Sequence, residues 1–420
     1  MTIRCFLPLL PLLLACLPAC GDDPSGISGA SRASASAGST NLGSSAGGKS
    51  AQGGAPGSAA AGGATGSAIS AGSGAGGSAG SASANQNPPT PWNSAKAASV
   101  SDAQLQVEYD SWKAAHVETC TNGSAVVLKD ADSVVSEGIG YGMLIAVAMA
   151  DQALFDGLWK YYQDHLDKNG LMNWQTQRCE APGNNNRGAA TDADLDTTMA
   201  LVQASARWAA GDYGLKAQAL AAKVSGLESD MCDGRRVLRP GDTWGGCSDP
   251  SDKRINPSYF APGYYKVFAQ RFPEQAATWT ALGDGSYQLF AIYQARMNNL
   301  VPDWSGPDGS DNGSSYWYDA CRTPWRVAVD YAWTGDTRAK SFMQNVSSWV
   351  DQQGGLPSAA QQQNSAFLGA FALAGAYEQG KFDTYMSSWL STETDDTPYY
   401  QATLRVLYLL VAAGKFSSTL

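Results

Sequence analysis

The stretch Ser136-Glu137-Gly138-Ile139-Gly140-Tyr141-Gly142-Met143 places one carboxylic acid among small glycines. Apolar residues with helical spacing follow at once, from Met143 to Ala148, which predicts that Glu137 lies at the entrance of a buried helix. Gly138 and Gly140 leave room for a bulky group to approach the carboxyl. By itself, the pattern also fits a glutamate that complements the dipole at a helix start. Acidic motifs farther along the chain decide between these interpretations.

Helical periodicity dominates the chain on both sides of that stretch. Strand-like alternation is limited to pieces such as Val126-Val127-Leu128. Long connections rich in Gly, Asp, Trp and Pro follow alternate helical segments, at 167–191, 229–258 and 298–322. This pairing predicts an all-α ring of six helical hairpins with its long loops around a cleft on one face; an unrelated helix bundle is the alternative. The predicted helices cover 102–115, 138–150, 152–166, 193–210, 214–228, 259–271, 276–297, 323–334, 337–352, 365–377, 382–390 and 398–413.

Residues 1–19 are typical of an export signal. The apolar run from Cys5 to Leu17 is too short to span a bilayer but fits the core of a secretory signal peptide. It ends in Leu17-Pro18-Ala19-Cys20, which resembles a bacterial lipoprotein signal whose cysteine becomes the acylated first residue; ordinary cleavage near Ala19 is the alternative. We therefore expect an exported protein, extracellular or at the cell surface, attached to a membrane only through a lipid on Cys20.

Residues 20–90 differ sharply in composition from the rest of the chain. They are almost wholly Gly, Ala and Ser, without aromatic side chains. Such a segment buries too little surface to offset the entropy lost on ordering, so we expect a disordered tether. Residues 91–420 are long enough for one large core, and we expect them to form a single monomeric domain.

Charge and histidine content exclude several classes of function. The net charge is −10 and Lys/Arg-rich runs are absent, which argues against nucleic-acid binding. His116 and His165 have neither Cys nor His neighbours at ligand spacing, so a zinc site and a Ser-His-Asp triad are poorly supported. His165 falls at the polar end of a helical pattern, and we expect it to be exposed.

Five cysteines follow Cys20, and an odd number leaves at least one thiol unpaired. Cys232 and Cys247 flank a short Arg/Gly/Pro-rich excursion and are the favoured disulfide. Pairing of Cys120 with Cys179 is a second candidate. The fifth, Cys321, is expected to stay free.

Two long loops end in acidic motifs. The first ends in Ala190-Thr191-Asp192-Ala193-Asp194-Leu195-Asp196, which predicts a helix start with Thr191 or Asp192 as its cap, although a cap explains only one of three aspartates. The other ends in Tyr318-Asp319-Ala320-Cys321-Arg322, and Pro324 suits the first helical turn that follows. Asp319 then lies on the loop side, where Arg322 either pairs with it structurally or keeps it ionised as a base.

Aromatic residues cluster in the same loops, beside the carboxylates. A pyranose ring presents apolar C–H surface that stacks on an aromatic ring, whereas its hydroxyls need polar partners nearby. Several such aromatics therefore indicate a row of sugar platforms, although a single loop tryptophan is usually packing. We predict substrate contacts from Trp174, Trp244, Tyr259, Tyr318, Arg322 and Tyr400.

These motifs resemble glycoside hydrolase family 8, whose members include endoglucanases, chitosanases, lichenases and xylanases. The resemblance spans about residues 100–412. It implies an (α/α)6 barrel over 91–420, with Glu137 as general acid, Asp319 as general base and Asp192 holding the sugar at the point of cleavage. Five stretches carry the resemblance by their order and spacing: Ser136-Glu137-Gly138-Ile139-Gly140-Tyr141-Gly142, Gly170-Leu171-Met172-Asn173-Trp174, Ala190-Thr191-Asp192-Ala193-Asp194, Asn256-Pro257-Ser258-Tyr259-Phe260-Ala261-Pro262 and Tyr318-Asp319-Ala320-Cys321-Arg322.

The chemistry agrees with that resemblance. Inverting hydrolysis of an acetal needs one protonated carboxyl at the leaving oxygen and one carboxylate that activates water on the opposite face, roughly 6.5–9.5 Å away. Desolvation keeps Glu137 protonated, its helix start opposes this, and a nearby carboxylate such as Asp192 assists. The reaction requires neither a metal nor an organic cofactor.

The predicted function is therefore endo-acting, inverting hydrolysis of a β-1,4-linked polysaccharide, cellulose or mixed-linkage β-glucan. Chitosanase or xylanase activity of the same family is the alternative. A surface lipoprotein that binds glycans without cutting them would need only the aromatics, and a polysaccharide lyase would favour a basic cleft.

Overall fold

The computed structural model describes residues 92–183, 185–209 and 211–419. This part of the chain contains twelve α-helices, as predicted, with boundaries that differ from the expected ones by a few residues. They are α1 (Asp102–His116), α2 (Ser136–Ala148), α3 (Gln152–Asp164), α4 (Thr191–Arg207), α5 (Tyr213–Leu227), α6 (Pro262–Arg271), α7 (Ala276–Arg296), α8 (Thr323–Thr334), α9 (Thr337–Gln352), α10 (Ser365–Ala374), α11 (Gln379–Ser391) and α12 (Tyr399–Ala412).

The helices form the predicted (α/α)6 barrel. Each even-numbered helix from α2 to α10 packs on the helix that follows it, and α12 packs on α1, so the two ends of the domain close the ring. Helices α2, α4 and α10 are buried on nearly every side, as expected for an inner ring, whereas outer helices such as α9 bury one stripe. The loops that precede the inner helices meet on one face.

Three short pairs of antiparallel strands lie on that face. They are β1 (Val117–Thr119) with β2 (Ala125–Val127), β3 (Ser133–Val135) with β4 (Gln175–Gln177), and β5 (Ser229–Cys232) with β6 (Arg235–Leu238). Strands of three or four residues carry too little alternation to be read from sequence, and only the region of β2 was expected. The β3–β4 ladder has a direct consequence for the cleft, because the N–H of Ser136 donates to the Trp174 carbonyl at 2.9 Å.

Both expected disulfides are present. Cys120 is bonded to Cys179 and Cys232 to Cys247, while Cys321 is free and buried, as predicted. Each disulfide closes a loop of the cleft face.

The expectation for His165 is wrong. It is almost fully buried, with its Nδ1 2.8 Å from the Tyr161 carbonyl and its ring 4.0 Å from the Tyr161 ring. The loop that follows α3 folds back over the helix end, because the N–H of Asn173 donates to the His165 carbonyl at 3.0 Å. The apolar spacing of the helix gives no information about that contact with the loop.

The expected signal peptide (1–19), the tether (20–90) and Cys20 lie outside the described residues. Within the described part of the chain, every helix is too short or too polar to cross a bilayer.

Candidate active site

Three helix starts bring the predicted acidic residues together. Glu137 is the second residue of α2, Asp192 is the second residue of α4, and Asp319 immediately precedes the short 3-10 turn Ala320–Arg322 that leads into α8. Pro324 occupies the first turn of α8, as expected. Because all three helices belong to the inner ring and start at the same face, residues far apart in sequence meet at one mouth.

The side chain of Arg322 joins the three carboxyl groups. Its Nη1 donates to Glu137 at 2.5 Å and to Asp192 at 2.8 Å, and its Nη2 donates to Asp319 at 2.6 Å. The Tyr141 hydroxyl lies 3.3 Å from the same Nη1. Charge-assisted bonds of this kind fix geometry as well as charge. One cation therefore holds three potential anions in a fixed arrangement.

The members of this group differ in access to solvent. The side chains of Arg322 and Asp192 are each only 2% exposed, whereas Glu137 is 18% exposed and Asp319 is 29% exposed. A molecule in the cleft can therefore reach Glu137 and Asp319 directly. Asp192 and Arg322 lie beneath them.

The surroundings of Glu137 keep a proton on it. Burial raises its pKa to about 7, Arg322 opposes this rise, and the negative charge of Asp192 adds to it. The Tyr399 hydroxyl donates to the other carboxyl oxygen at 2.5 Å and also favours the ionised form. Near neutral pH, a large fraction of Glu137 is thus protonated, while the site retains a strong cation.

The glycines around Glu137 serve helix packing. A Cβ on Gly140 would lie 3.0 Å from the Ala193 carbonyl of α4, and one on Gly138 would lie 3.2 Å from the Tyr399 ring. The bulky group that Gly138 admits beside the carboxyl is thus Tyr399, from this chain. Close approach of α2 and α4 is what brings Glu137 near Asp192.

The three aspartates at the start of α4 serve three purposes. The helix cap is Ala190, so the expected cap at Thr191 or Asp192 is wrong. Asp192 is thereby left to face the mouth. Asp194 points inward and accepts a bond from Tyr162, and burial raises its pKa to about 8. Asp196 forms a buried bidentate pair with Arg326 of α8.

Two of the predicted sugar platforms, Trp244 and Tyr259, form an aromatic group with Trp304. Trp174 is 38% exposed, and Trp244 lies 5.8 Å from Trp304, ring centroid to ring centroid. Tyr259 lies 6.5 Å from Trp304 and also under the guanidinium of Arg322, at 5.3 Å. Tyr259 is only 9% exposed, so little of its side chain is open to a substrate.

Tyr318 immediately precedes Asp319, and Tyr400 contacts Tyr318. The Tyr400 hydroxyl donates to the Tyr318 carbonyl, and the two ring centroids are 6.0 Å apart. Tyr400 therefore anchors the loop that carries Asp319, in addition to any contact with substrate.

Two residues at the mouth were missed from the sequence. Tyr399 contacts Glu137 directly, and Asp303 accepts bonds from the N–H groups of Trp317 and Ala320, at 2.9 and 2.7 Å. Asp303 lies in the predicted long loop 298–322, where its sequence neighbours do not mark it as part of the site. Burial, together with the charge of Asp319, raises the pKa of Asp303 to about 6.

A metal centre finds little support among the described residues. There, a cluster of ligand atoms close enough for an ion occurs at Asp230, Cys232 and Cys247. Its two sulfur atoms are already joined in a disulfide, so they are not available as thiolate ligands.

The sequence profile of glycosyl hydrolases family 8 matches residues 90–414. This chain belongs to that family. Among its family 8 relatives, Endoglucanase A of Acetivibrio thermocellus is 35% identical over 351 residues, covering 76% of this chain and 70% of that protein. Beta-glucanase of Niallia circulans is 29% identical over 361 residues, covering 76% and 86%.

The family 8 assignment extends to solved structures. The apo structure of a beta-1,3-1,4-glucanase from Paenibacillus sp. X4 matches with a TM-score of 0.68 and 25% identity, over 79% of this chain and 98% of that one. The match covers nearly the whole of that chain.

Proposed function

We propose that this protein is an endo-acting β-glucanase that hydrolyses β-1,4 bonds of cellulose or mixed-linkage glucan with inversion, and that Glu137, Asp319 and Asp192 are its catalytic carboxyl groups. The observation that carries the proposal is the single buried guanidinium of Arg322, which contacts all three. The two carboxyls exposed to the cleft differ in environment, as an acid and a base must.

Glu137 acts as the general acid in this mechanism. Its pKa of about 7 leaves it protonated in acidic solution and partly protonated at neutral pH. As the bond between the anomeric carbon and the bridging oxygen breaks, Glu137 gives its proton to that oxygen, and the leaving sugar departs as an alcohol. The resulting carboxylate is stabilised by Arg322 and Tyr399, which already contact its two oxygens.

Asp319 acts as the general base. It accepts a proton from a water molecule while the water oxygen attacks the anomeric carbon from the face opposite the leaving group. The contact with Arg322 favours the ionised form that this step needs. Asp192 is almost fully buried, and its Oδ1 has no hydrogen-bond partner within the described part of the chain, so this oxygen is the one proposed to hold the distorted sugar. The negative charge of Asp192 also raises the pKa of Glu137.

The choice of glucan rests on the relatives, which include an endoglucanase and two enzymes described as β-glucanases. The test is a reducing-sugar assay on carboxymethylcellulose, mixed-linkage glucan, chitosan and xylan, each run beside the Glu137→Gln variant. We expect the wild type to act on one or both glucans, with a rapid fall in viscosity that marks internal cleavage. Preference for chitosan or xylan would move the enzyme to the alternative activities, and binding without release of sugars would make it a glycan-binding protein.

Inversion has its own test. We predict that the carboxyl groups of Glu137 and Asp319 lie roughly 6.5–9.5 Å apart in the substrate complex, which leaves room for the attacking water. Proton NMR of the first product from a β-linked glucan should then show the α-anomer. The β-anomer appearing first would contradict both the mechanism and the assignment of Asp319.

We also propose that the protein is exported, lipidated at Cys20 and held by the segment 20–90 as a flexible tether. The support is the sequence Leu17-Pro18-Ala19-Cys20 and the Gly/Ala/Ser composition that follows it. In detergent phase partition, the mature protein should enter the detergent phase and the Cys20→Ala variant the aqueous phase. Mature wild-type protein found wholly in the aqueous phase would contradict lipidation.

A further inference from the structure

Asp303 lies beneath the loop that carries the proposed base. One of its oxygens, Oδ1, accepts hydrogen bonds from the N–H of Trp317 at 2.9 Å and from the N–H of Ala320 at 2.7 Å. These donors stand on the two sides of Asp319 in sequence. A single carboxyl oxygen thus fixes the main chain both before and after Asp319.

The segment around Asp303 is itself firmly held. Its own N–H donates to the Ser315 carbonyl at 2.8 Å. Two positions later, Ser305 exchanges two main-chain hydrogen bonds with Ile255, at 2.9 and 3.0 Å. Asp303 therefore belongs to a firmly hydrogen-bonded part of the cleft wall, and that part of the wall fixes the position of Asp319.

The charge of Asp303 reaches the same residue. The titratable and charged groups that face it are Asp319, Arg322, Tyr316 and Cys321. Of these, Asp319 is the carboxyl group, and two carboxylates at close range each make the other a better proton acceptor. Geometry and charge are thus two separable contributions of one side chain.

We propose that Asp303 is a positioning residue for the base: its carboxylate anchors the turn that presents Asp319 to water, and its negative charge strengthens Asp319 as a proton acceptor. This inference rests on the proposed role of Asp319. It concerns a residue that lies sixteen positions away in sequence and holds the main chain on both sides of the base.

Two substitutions separate the contributions. Asp303→Asn keeps an amide oxygen that accepts both N–H bonds but removes the charge, whereas Asp303→Ala removes both. The matched control is Asp308→Asn, an exposed aspartate of the same loop whose carboxylate accepts from the Ser310 N–H at 2.9 Å. The measurements are kcat and KM on the preferred glucan, the pH profile of kcat/KM and the melting temperature.

We expect Asp303→Ala to lower kcat by about tenfold to a hundredfold, because small displacements of a reacting group have effects of that order, with KM changed less than about threefold. Asp303→Asn should restore most of kcat. In the wild type, Asp303 takes up a proton as pH falls through about 6, which removes its negative charge from beside Asp319, so kcat/KM should decline in that range; Asp303→Asn should lack that step. Asp308→Asn should match the wild type.

Several results would overturn the inference. If Asp303→Ala keeps wild-type kcat, the anchor is irrelevant to the base. If both variants chiefly raise KM, Asp303 binds substrate. Should the alanine variant fail to fold, the asparagine variant decides alone, and a decline of kcat/KM near pH 6 that persists in it contradicts the proposal. Asp319→Asn, run in parallel, separates the two levels: if it stays active, the base assignment itself is wrong.

Discussion

Two aspartate–arginine pairs connect the start of α4 to the start of α8, one at the mouth and one in the core. Asp192 contacts Arg322, and four residues later in both segments Asp196 contacts Arg326. Residues four apart lie on the same side of a helix, so the two pairs are successive rungs of one ladder. They are built from the same two residue types and differ in what surrounds them.

The core pair joins one cation to one carboxylate. Arg326 and Asp196 are fully buried, and the two terminal nitrogens of the Arg326 guanidinium donate to the two carboxylate oxygens of Asp196. At the mouth, Arg322 faces Glu137 and Asp319 as well as Asp192. The comparison teaches that burial of Glu137, assisted by the negative charges of Asp192 and Asp319, keeps a proton at the mouth, where one cation is shared among three carboxyl groups.

The largest expected effect comes from removing that proton. Glu137→Gln should lower kcat on unactivated glucan by roughly a hundred- to ten-thousandfold, the usual contribution of general acid–base catalysis. The melting temperature should stay near that of the wild type. Glu393→Gln, at an exposed position, is the control for the substitution itself. A Glu137→Gln enzyme that retains more than about a tenth of the activity would show that Glu137 is not the acid.

Breaking the core rung should affect stability. Asp196→Ala leaves Arg326 buried without its partner, and removal of one member of a buried pair typically costs about 3–5 kcal/mol. Urea unfolding measures the loss. A destabilisation below about 1 kcal/mol, the range of exposed pairs, would mean that the core pair contributes no more to stability than an exposed pair does.

Breaking the mouth rung should affect turnover instead. In Asp192→Asn, Arg322 keeps two carboxyl partners, so unfolding should change less than in Asp196→Ala. The fall in kcat should reach at least about tenfold, since contacts that strengthen in the transition state supply several kcal/mol in glycosidases. A rise in KM with unchanged kcat would instead assign Asp192 to ground-state binding.

The smallest effect concerns pH. Glu137 must be protonated to act, and its pKa is about 7, so kcat/KM should hold below that pH and fall as pH rises through it. Tyr399→Phe removes a donor that favours the ionised form, so this alkaline limb should move upward, by about one pH unit. A pH–rate profile of both enzymes measures this. A downward shift would contradict the assigned contact.

Much of the fold was predictable because periodicity is a local property. The twelve helices and the ring were read from apolar spacing, and the meeting of Glu137, Asp192 and Asp319 was expected from motifs that end long loops. The Arg322 contact was foreseen for Asp319 alone. That one guanidinium reaches all three depends on the packing of α2 against α4, which no single motif encodes.

The wrong predictions arose because local sequence patterns do not contain contacts between distant residues. His165 was expected to be exposed because a returning loop is invisible in a helix pattern, and the cap of α4 was misplaced because Thr191 and Asp192 resemble caps more than Ala190 does. Asp303 and Tyr399 act through partners distant in sequence, Ala320 and Glu137, so their neighbours gave no signal.

The two disulfides are confined to the walls of the cleft and leave the barrel untouched. Cys120–Cys179 secures the end of the strand that follows Trp174, and Cys232–Cys247 closes the excursion that carries Trp244. If Trp174 and Trp244 bind substrate as proposed, the stability of the helical ring and the binding of a long polysaccharide depend on different bonds. A thiol reductant should leave the helices folded while it loosens the two tryptophan-bearing walls, so the enzyme would lose its hold on polymers sooner than its power to cleave short oligosaccharides.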